Sequence, residues 1–158
     1  VTIQVPLDEL LDKNRVLLDA NLASKKSVLE RAAELLAQGD LGVDQRDIFE
    51  ALCQRERLGS TGLGHGVAIP HCRIGHGDVS AAFVRLRKPV EFDSPDNQAV
   101  DLFFVLAVPA ERNESHLKLL AAVAERFSDD QVRQDLRGAE GFQQITELLK
   151  GGPKPEPG

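Results

Sequence analysis

Residues 55–74, RERLGSTGLGHGVAIPHCRI, gather more reactive side chains than any other stretch of the chain. His71 stands just past Val67-Ala68-Ile69, a short apolar run that reads as a buried strand. Pro70 restrains the backbone directly before it, and the glycine-rich segment Ser60 to Gly66 lies upstream with two hydroxyls, Ser60 and Thr61. Three glycines in seven residues imply a loop whose backbone approaches something closely. Arg55 and Arg57 end the helical stretch before that loop. Such an arrangement holds an imidazole on a rigid element with its ring facing a cleft. A surface histidine on a turn is the competing reading of the same residues.

His116 is the second candidate. It falls at the first helical position after Ser115, an expected N-cap, where unpaired N–H groups and the helix dipole favour an anion. If the fold brings that helix start to His71, the site holds a nucleophile, a second imidazole, an arginine and loose backbone donors. That set suits a phosphoryl group in transit, whose transfer is mostly a matter of positioning and of donors aimed at its oxygens. Neutral imidazole is a nucleophile near pH 7 without a strong base, whereas serine or threonine needs activation. The ring nitrogen that does not react must give its proton to a fixed acceptor, most simply a backbone carbonyl of the loop.

Other chemistries fit less well. No GxxxxGK[ST] run is present, and GLGHGVA leads into a strand where a dinucleotide fingerprint needs a helix. His65, His71, Cys72 and His76 follow no two-by-two ligand spacing, so neither a metal nor any other cofactor is expected. Cys72 cannot be served by His71, because adjacent residues point apart along an extended chain. Ser60 has no nucleophile-elbow context.

The elements that must carry these residues alternate along the chain. Val16-Leu17-Leu18 reads as a short strand, and helices are expected over 24–38 and 44–57, with Ser24 or Ser27 and Asp44 as caps. Strands follow at 79–86 and 102–108, the second an unbroken apolar run suited to burial on both faces. Pro89 to Ala99 reads as a turn-rich connection. A third helix runs from Ser115 to Phe127 and buries Leu117, Leu120, Ala124 and Phe127; shorter helices cover 129–137 and 140–150. The expected class is α/β: one domain over residues 1–150, a mixed sheet covered on both faces by helices, and a flexible tail at 151–158.

The totals agree with that class. The chain has 158 residues, 42% hydrophobic and 28% charged, enough for one well-filled core. A net charge of -6 with no basic block argues against nucleic-acid binding. The longest apolar run is too short to span a bilayer, so no membrane insertion is expected, and no signal-peptide pattern opens the chain. Cys53 and Cys72 are expected as free thiols in the cytoplasm.

The run RERLGSTGLGHGVAIPHCRI resembles the phosphorylation-site motif of the type 2 IIA domains of the bacterial phosphotransferase system, the fructose, mannitol and nitrogen-regulatory family. FDSPDNQAVDLFFVLAVPAERNESHLKLLAAVAERF is similar to the strand, loop and helix that bring that family's second histidine. The resemblance implies a mixed sheet of about five strands. It implies that His71 is the phosphoryl acceptor, His116 the second active-site histidine and Arg55 the phosphate-stabilising arginine, with Ser60 and Thr61 lining the phosphate loop. The implied donor is an HPr-like histidine phosphocarrier. His65 is expected as a neighbour of the site, and Arg57 and Arg73 as parts of a docking surface.

FDSPDNQAVDL and VPAERNESHLKLL look more like the nitrogen-regulatory branch than the sugar branch. The function expected is therefore a regulatory phosphoprotein fed by a nitrogen-branch phosphocarrier. In that family the targets include potassium transport and sensor-kinase proteins. A phosphocarrier of a fructose- or mannitol-type sugar transport system shares all the site residues and is the alternative. A non-phosphorylated binding module, with His71 purely structural, is the alternative of another class.

Overall fold

In the computed structural model, residues 7–39, 41–110 and 114–150 are described, with side chains from 117 onward in the last stretch. The expected tail at 151–158 lies outside them. Two short 3-10 turns lead into β1 (Val16–Ala20), then α1 (Lys25–Leu36) and α2 (Gln45–Arg57). Three short strands follow, β2 (Gly62–Gly64), β3 (Val67–Ala68) and β4 (His71–Arg73). Next come the long β5 (Ser80–Val90) and β6 (Val100–Val108), then α3 (Glu114–Phe127), α4 (Asp130–Gly138) and α5 (Phe142–Leu149).

The sheet has six strands in the order β1-β5-β6-β3-β2, with β4 also on β6. β5 and β6 are antiparallel, while β1 runs parallel to β5, and β3 and β4 parallel to β6. The sheet is mixed, as expected, and its strand count among the described residues agrees with the five or so that the resemblance implied. Alternating side chains of the central pair feed two cores. Ala82, Val84, Phe103 and Val105 pack under α1 and α2 with Val28, Leu36, Ile48 and Leu52. Phe83, Leu102, Phe104 and Leu106 pack under the other helices with Val123, Phe127, Leu136 and Ile145. Every residue of β6 except Asp101 is buried, which explains its unbroken apolar run.

The helix starts have local causes. Ser24 accepts from the Ser27 N–H while the Ser27 hydroxyl accepts from the Ser24 N–H, so both expected caps of α1 act together. Asp44 caps α2 by accepting from the Asp47 N–H at 2.9 Å.

Four expectations need correction. Residues 62–64 form a strand, because Gly62 and Gly64 pair with Ala68 and Val67 in a tight antiparallel turn. The connection expected from Pro89 begins later, because β5 runs to Val90 through a register irregularity between Arg85 and Val90 that accommodates the proline. Helix α3 begins at Glu114, so Ser115 lies inside it, not at its cap. That helix buries Leu119, Val123 and Phe127, while Leu117 is 63% exposed. The run LKLLAAVAERF has apolar residues on adjoining stripes, so its period alone did not choose between them.

Candidate functional site

β3 and β4 both lie beside β6, with the backbone broken between them at Ile69-Pro70. The break starts a new strand at His71, paired in register with Leu106, and leaves the ring half-buried. Its Nδ1 lies 2.8 Å from the Ile69 carbonyl oxygen. A carbonyl can only accept, so Nδ1 carries the proton. On the other side of the ring, Arg55 directs Nε–H at Nε2 over 3.3 Å. A guanidinium can only donate, so Nε2 holds a lone pair. Both neighbours select the same neutral tautomer.

Burial pulls the imidazole below its ordinary pKa, and the Arg55 charge adds to the effect. The Ile69 carbonyl and the Glu56 carboxylate work in the opposite direction. Near pH 7 the ring is neutral and Nε2 is the available nucleophile.

Arg55 sits in the last turn of α2, and its Nη1 donates to the Gly59 carbonyl at 2.9 Å. This contact satisfies a carbonyl just past the helix end and aims the guanidinium across the loop. Ser60 and Thr61 lie in that loop, and both hydroxyls are engaged inside the protein. Ser60 Oγ donates to the Phe92 carbonyl at 2.7 Å and accepts from the Gly62 N–H at 3.0 Å. Thr61 is buried and its hydroxyl donates to Glu56 Oε1.

The loop is tied to residues 92–96 at alternate positions. Ser60 meets Phe92, Gly62 closes on Ser94 and Gly64 on Asp96. Asp96 also accepts from the His65 N–H at 2.8 Å, holding His65 at a φ of 56°. The two stretches that carried the resemblance therefore brace each other. His65, Arg57 and Arg73 are exposed.

His116 lies in the first turn of α3, and its side chain is outside the described residues. Ala110 N–H, the last described group before α3, donates to Gly75 O at 3.0 Å just beyond β4. Cys72 follows His71 but points into the core, where burial pushes its thiol up to about 12. It offers no thiolate.

Sequence reasoning passed over Glu56 and Lys25. The Glu56 side chain is 5% exposed and its Oε2 lies 3.0 Å from Lys25 Nζ. The available signal was an acidic residue beside Arg55, one helical turn before a loop hydroxyl.

Residues 9–152 match the family described as phosphoenolpyruvate-dependent sugar phosphotransferase system, EIIA 2. The chain belongs to this family. A nitrogen regulatory protein from Klebsiella oxytoca is 39% identical over 145 residues, covering 90% of this chain and 89% of its own. Another from Pseudomonas aeruginosa is 41% identical over 146 residues, covering 92% and 95%. The crystal structure of nitrogen regulatory protein IIA-Ntr from Neisseria meningitidis superposes with a TM-score of 0.87 at 40% identity, covering 90% of this chain and 98% of that one. The chain is thus a phosphotransferase-system IIA domain with the fold of that protein. Among the described residues no helix is long and apolar enough to cross a membrane.

Proposed function

We propose that this IIA domain is a regulatory phosphoprotein of the nitrogen-related phosphotransferase system, carrying its phosphoryl group on Nε2 of His71. The observation that supports it most is the imidazole with Nδ1–H fixed on Ile69 and Nε2 facing Arg55. A phosphohistidine of an HPr-like carrier is the donor. The Nε2 lone pair forms the new P–N bond as the donor's P–N bond breaks, and the donor nitrogen keeps that electron pair. Nδ1 retains its proton on the Ile69 carbonyl throughout. As phosphorus approaches, Arg55 turns its N–H groups from the lone pair to the phosphoryl oxygens, where a charged donor acts most strongly. His116, from the start of α3, supplies a second contact to the same oxygens.

The phosphoryl group adds about two negative charges in a small volume. The phosphorylation state then selects partners by local electrostatics in the cytoplasm, with potassium transport and sensor-kinase proteins as the target classes. Labelling from phosphoenolpyruvate through the enzyme and carrier of the pathway tests this reading. The wild type takes up label and His71→Ala does not; equal uptake by a folded His71→Ala overturns it.

The family description favours a second reading, a carrier for sugar transport. Mixing the phosphorylated protein with sugar-specific transport domains separates the two, because efficient formation of sugar phosphate defeats the regulatory reading.

A further inference from the structure

A ring of hydrogen bonds around His71 starts and ends on neighbouring residues of α2. The Glu56 carboxylate accepts from the Thr61 N–H at 3.2 Å and from the Thr61 hydroxyl. The Thr61 carbonyl accepts from the Ile69 N–H at 3.0 Å. The Ile69 carbonyl takes the Nδ1 proton of His71 at 2.8 Å, and Nε2 accepts from Arg55 at 3.3 Å. Arg55 and Glu56 are adjacent, so the peptide chain closes the circuit. One side of the imidazole is held by Arg55 directly, the other by Glu56 through Thr61 and Ile69.

Glu56 is itself held from outside the circuit. Lys25 Nζ lies 3.0 Å from its Oε2, reaches Asp93 at 3.4 Å and sits 4.5 Å above the Phe92 ring. The first turn of α1 thereby pins the end of α2 to the segment that braces the loop. A carboxylate this deeply buried is expensive unless paired and hydrogen-bonded. Here a cation, an N–H and a hydroxyl all converge on it.

From this circuit we infer that Glu56 is a positioning residue for His71: it fixes, through Thr61, the Ile69 carbonyl that holds the Nδ1 proton, and so keeps Nε2 as the nucleophile. The inference rests on the phosphoryl-carrier reading of His71 and adds a residue to it. Arg55 alone faces one nitrogen. Without a fixed acceptor on the other side, the ring can flip or change tautomer and turn a protonated nitrogen toward the incoming phosphorus.

Nitrogen-15 NMR of the His71 ring in unphosphorylated protein reports the tautomer without any transfer reaction. The wild type is expected to show the Nδ1–H form. Glu56→Ala is expected to raise the share of the other form and to slow phosphoryl uptake about 100-fold, the effect of roughly 1 Å of misplacement. Glu56→Gln keeps an acceptor for Thr61 and is expected to recover most of the rate. Thermal melts show whether Glu56→Ala folds; if it does not, Thr61→Val, which removes the hydroxyl arm at similar shape, takes its place. An unchanged tautomer in the folded variant overturns the positioning role, even with slower transfer, because it marks a merely structural effect. Failure of the wild type to take up phosphate instead defeats the carrier reading, and the NMR result still decides what holds the ring.

Discussion

Arg55 donates its Nε–H to Nε2 of His71 across 3.3 Å while its Nη1 is anchored on the Gly59 carbonyl. The cation thus faces the Nε2 lone pair, which in the proposed reaction attacks phosphorus, from a helix end tied to the loop that follows it. Charge and anchor come from one side chain, so in the proposed transfer the guanidinium has only to turn its free N–H groups from Nε2 to the arriving oxygens.

The first prediction concerns that side chain. Arg55→Ala is expected to slow phosphoryl uptake by a factor of about 100, the usual worth of one oriented charged donor. Arg55→Lys is expected to remain well below the wild type, because an ammonium cannot span Gly59 and the phosphoryl group with a planar fork. Stopped-time labelling at a fixed carrier concentration measures both. An Arg55→Ala rate equal to the wild type would assign the guanidinium to docking or structure.

A second prediction follows from the direction of the His71 shift. Burial, then Arg55, lowers the folded pKa from the ordinary 6.5, so the neutral nucleophile persists to lower pH than in a free imidazole. Uptake should stay level as pH falls to that ordinary value and decline only below it. Between the two pKa values the unfolded chain binds more protons, so stability is present above 6.5 and lost as pH falls through the folded pKa. An NMR titration of the His71 ring protons checks this, and a midpoint at or above 6.5 contradicts it.

Much of this site was legible because its parts are close in sequence. His71, Arg55 and the carbonyl acceptor come from one stretch of seventeen residues, and the strand and helix ends that hold them carry plain punctuation at Asp44, Gly59 and Pro70. The two-faced burial of 102–108 was equally plain from its unbroken apolar run. Long-range polar partners were not legible. Lys25 reaches Glu56 from another helix, and Ser60 and Gly62 depend on Phe92 and Ser94 some thirty residues away. Hydrophobic period reports which side is buried and says nothing about which hydroxyl meets which carbonyl. The same limit hid β2, whose glycines read as a loop until β3 paired with them.

The loop brace gives a third prediction. A Cβ at Gly62 would lie 3.0 Å from Ser94 Cβ and 3.1 Å from Ser94 Cα, closer than packed carbons sit. Gly62→Ala must push the loop off residues 92–96, and overpacking of this kind costs about 1–3 kcal/mol. Urea melts should show that loss together with slower uptake, since Thr61 moves with the loop. Gly138→Ala is the contrast: its Cβ meets nothing within 4 Å at the end of α4. It should be neutral or stabilising by about 0.4–1 kcal/mol. Equal effects from the two substitutions would mean that the close approach at Gly62 carries no weight.

The last prediction concerns a buried cation that composition does not reveal. Arg85 is 7% exposed in the middle of β5, and its Nη1 donates to the Leu136 carbonyl at 2.9 Å and the Ala139 carbonyl at 2.7 Å. Its Nη2 lies 3.1 Å from Asp19 Oδ1 at the end of β1. The guanidinium therefore joins β1, β5 and the end of α4, satisfying carbonyls that the helix itself leaves open. Arg85→Met keeps much of the side-chain volume but leaves those carbonyls without their donor, at about 1–3 kcal/mol for each buried group unsatisfied. For a chain of this size that lowers Tm by roughly 4–24 °C. Asp19→Asn should matter far less, about 0–1 kcal/mol, because the Asp19 side chain is 63% exposed and its ion pair is screened. Melting curves of the two variants decide between capping and ion pairing: if Asp19→Asn destabilises as much as Arg85→Met, the charge pair and not the helix end accounts for the buried arginine.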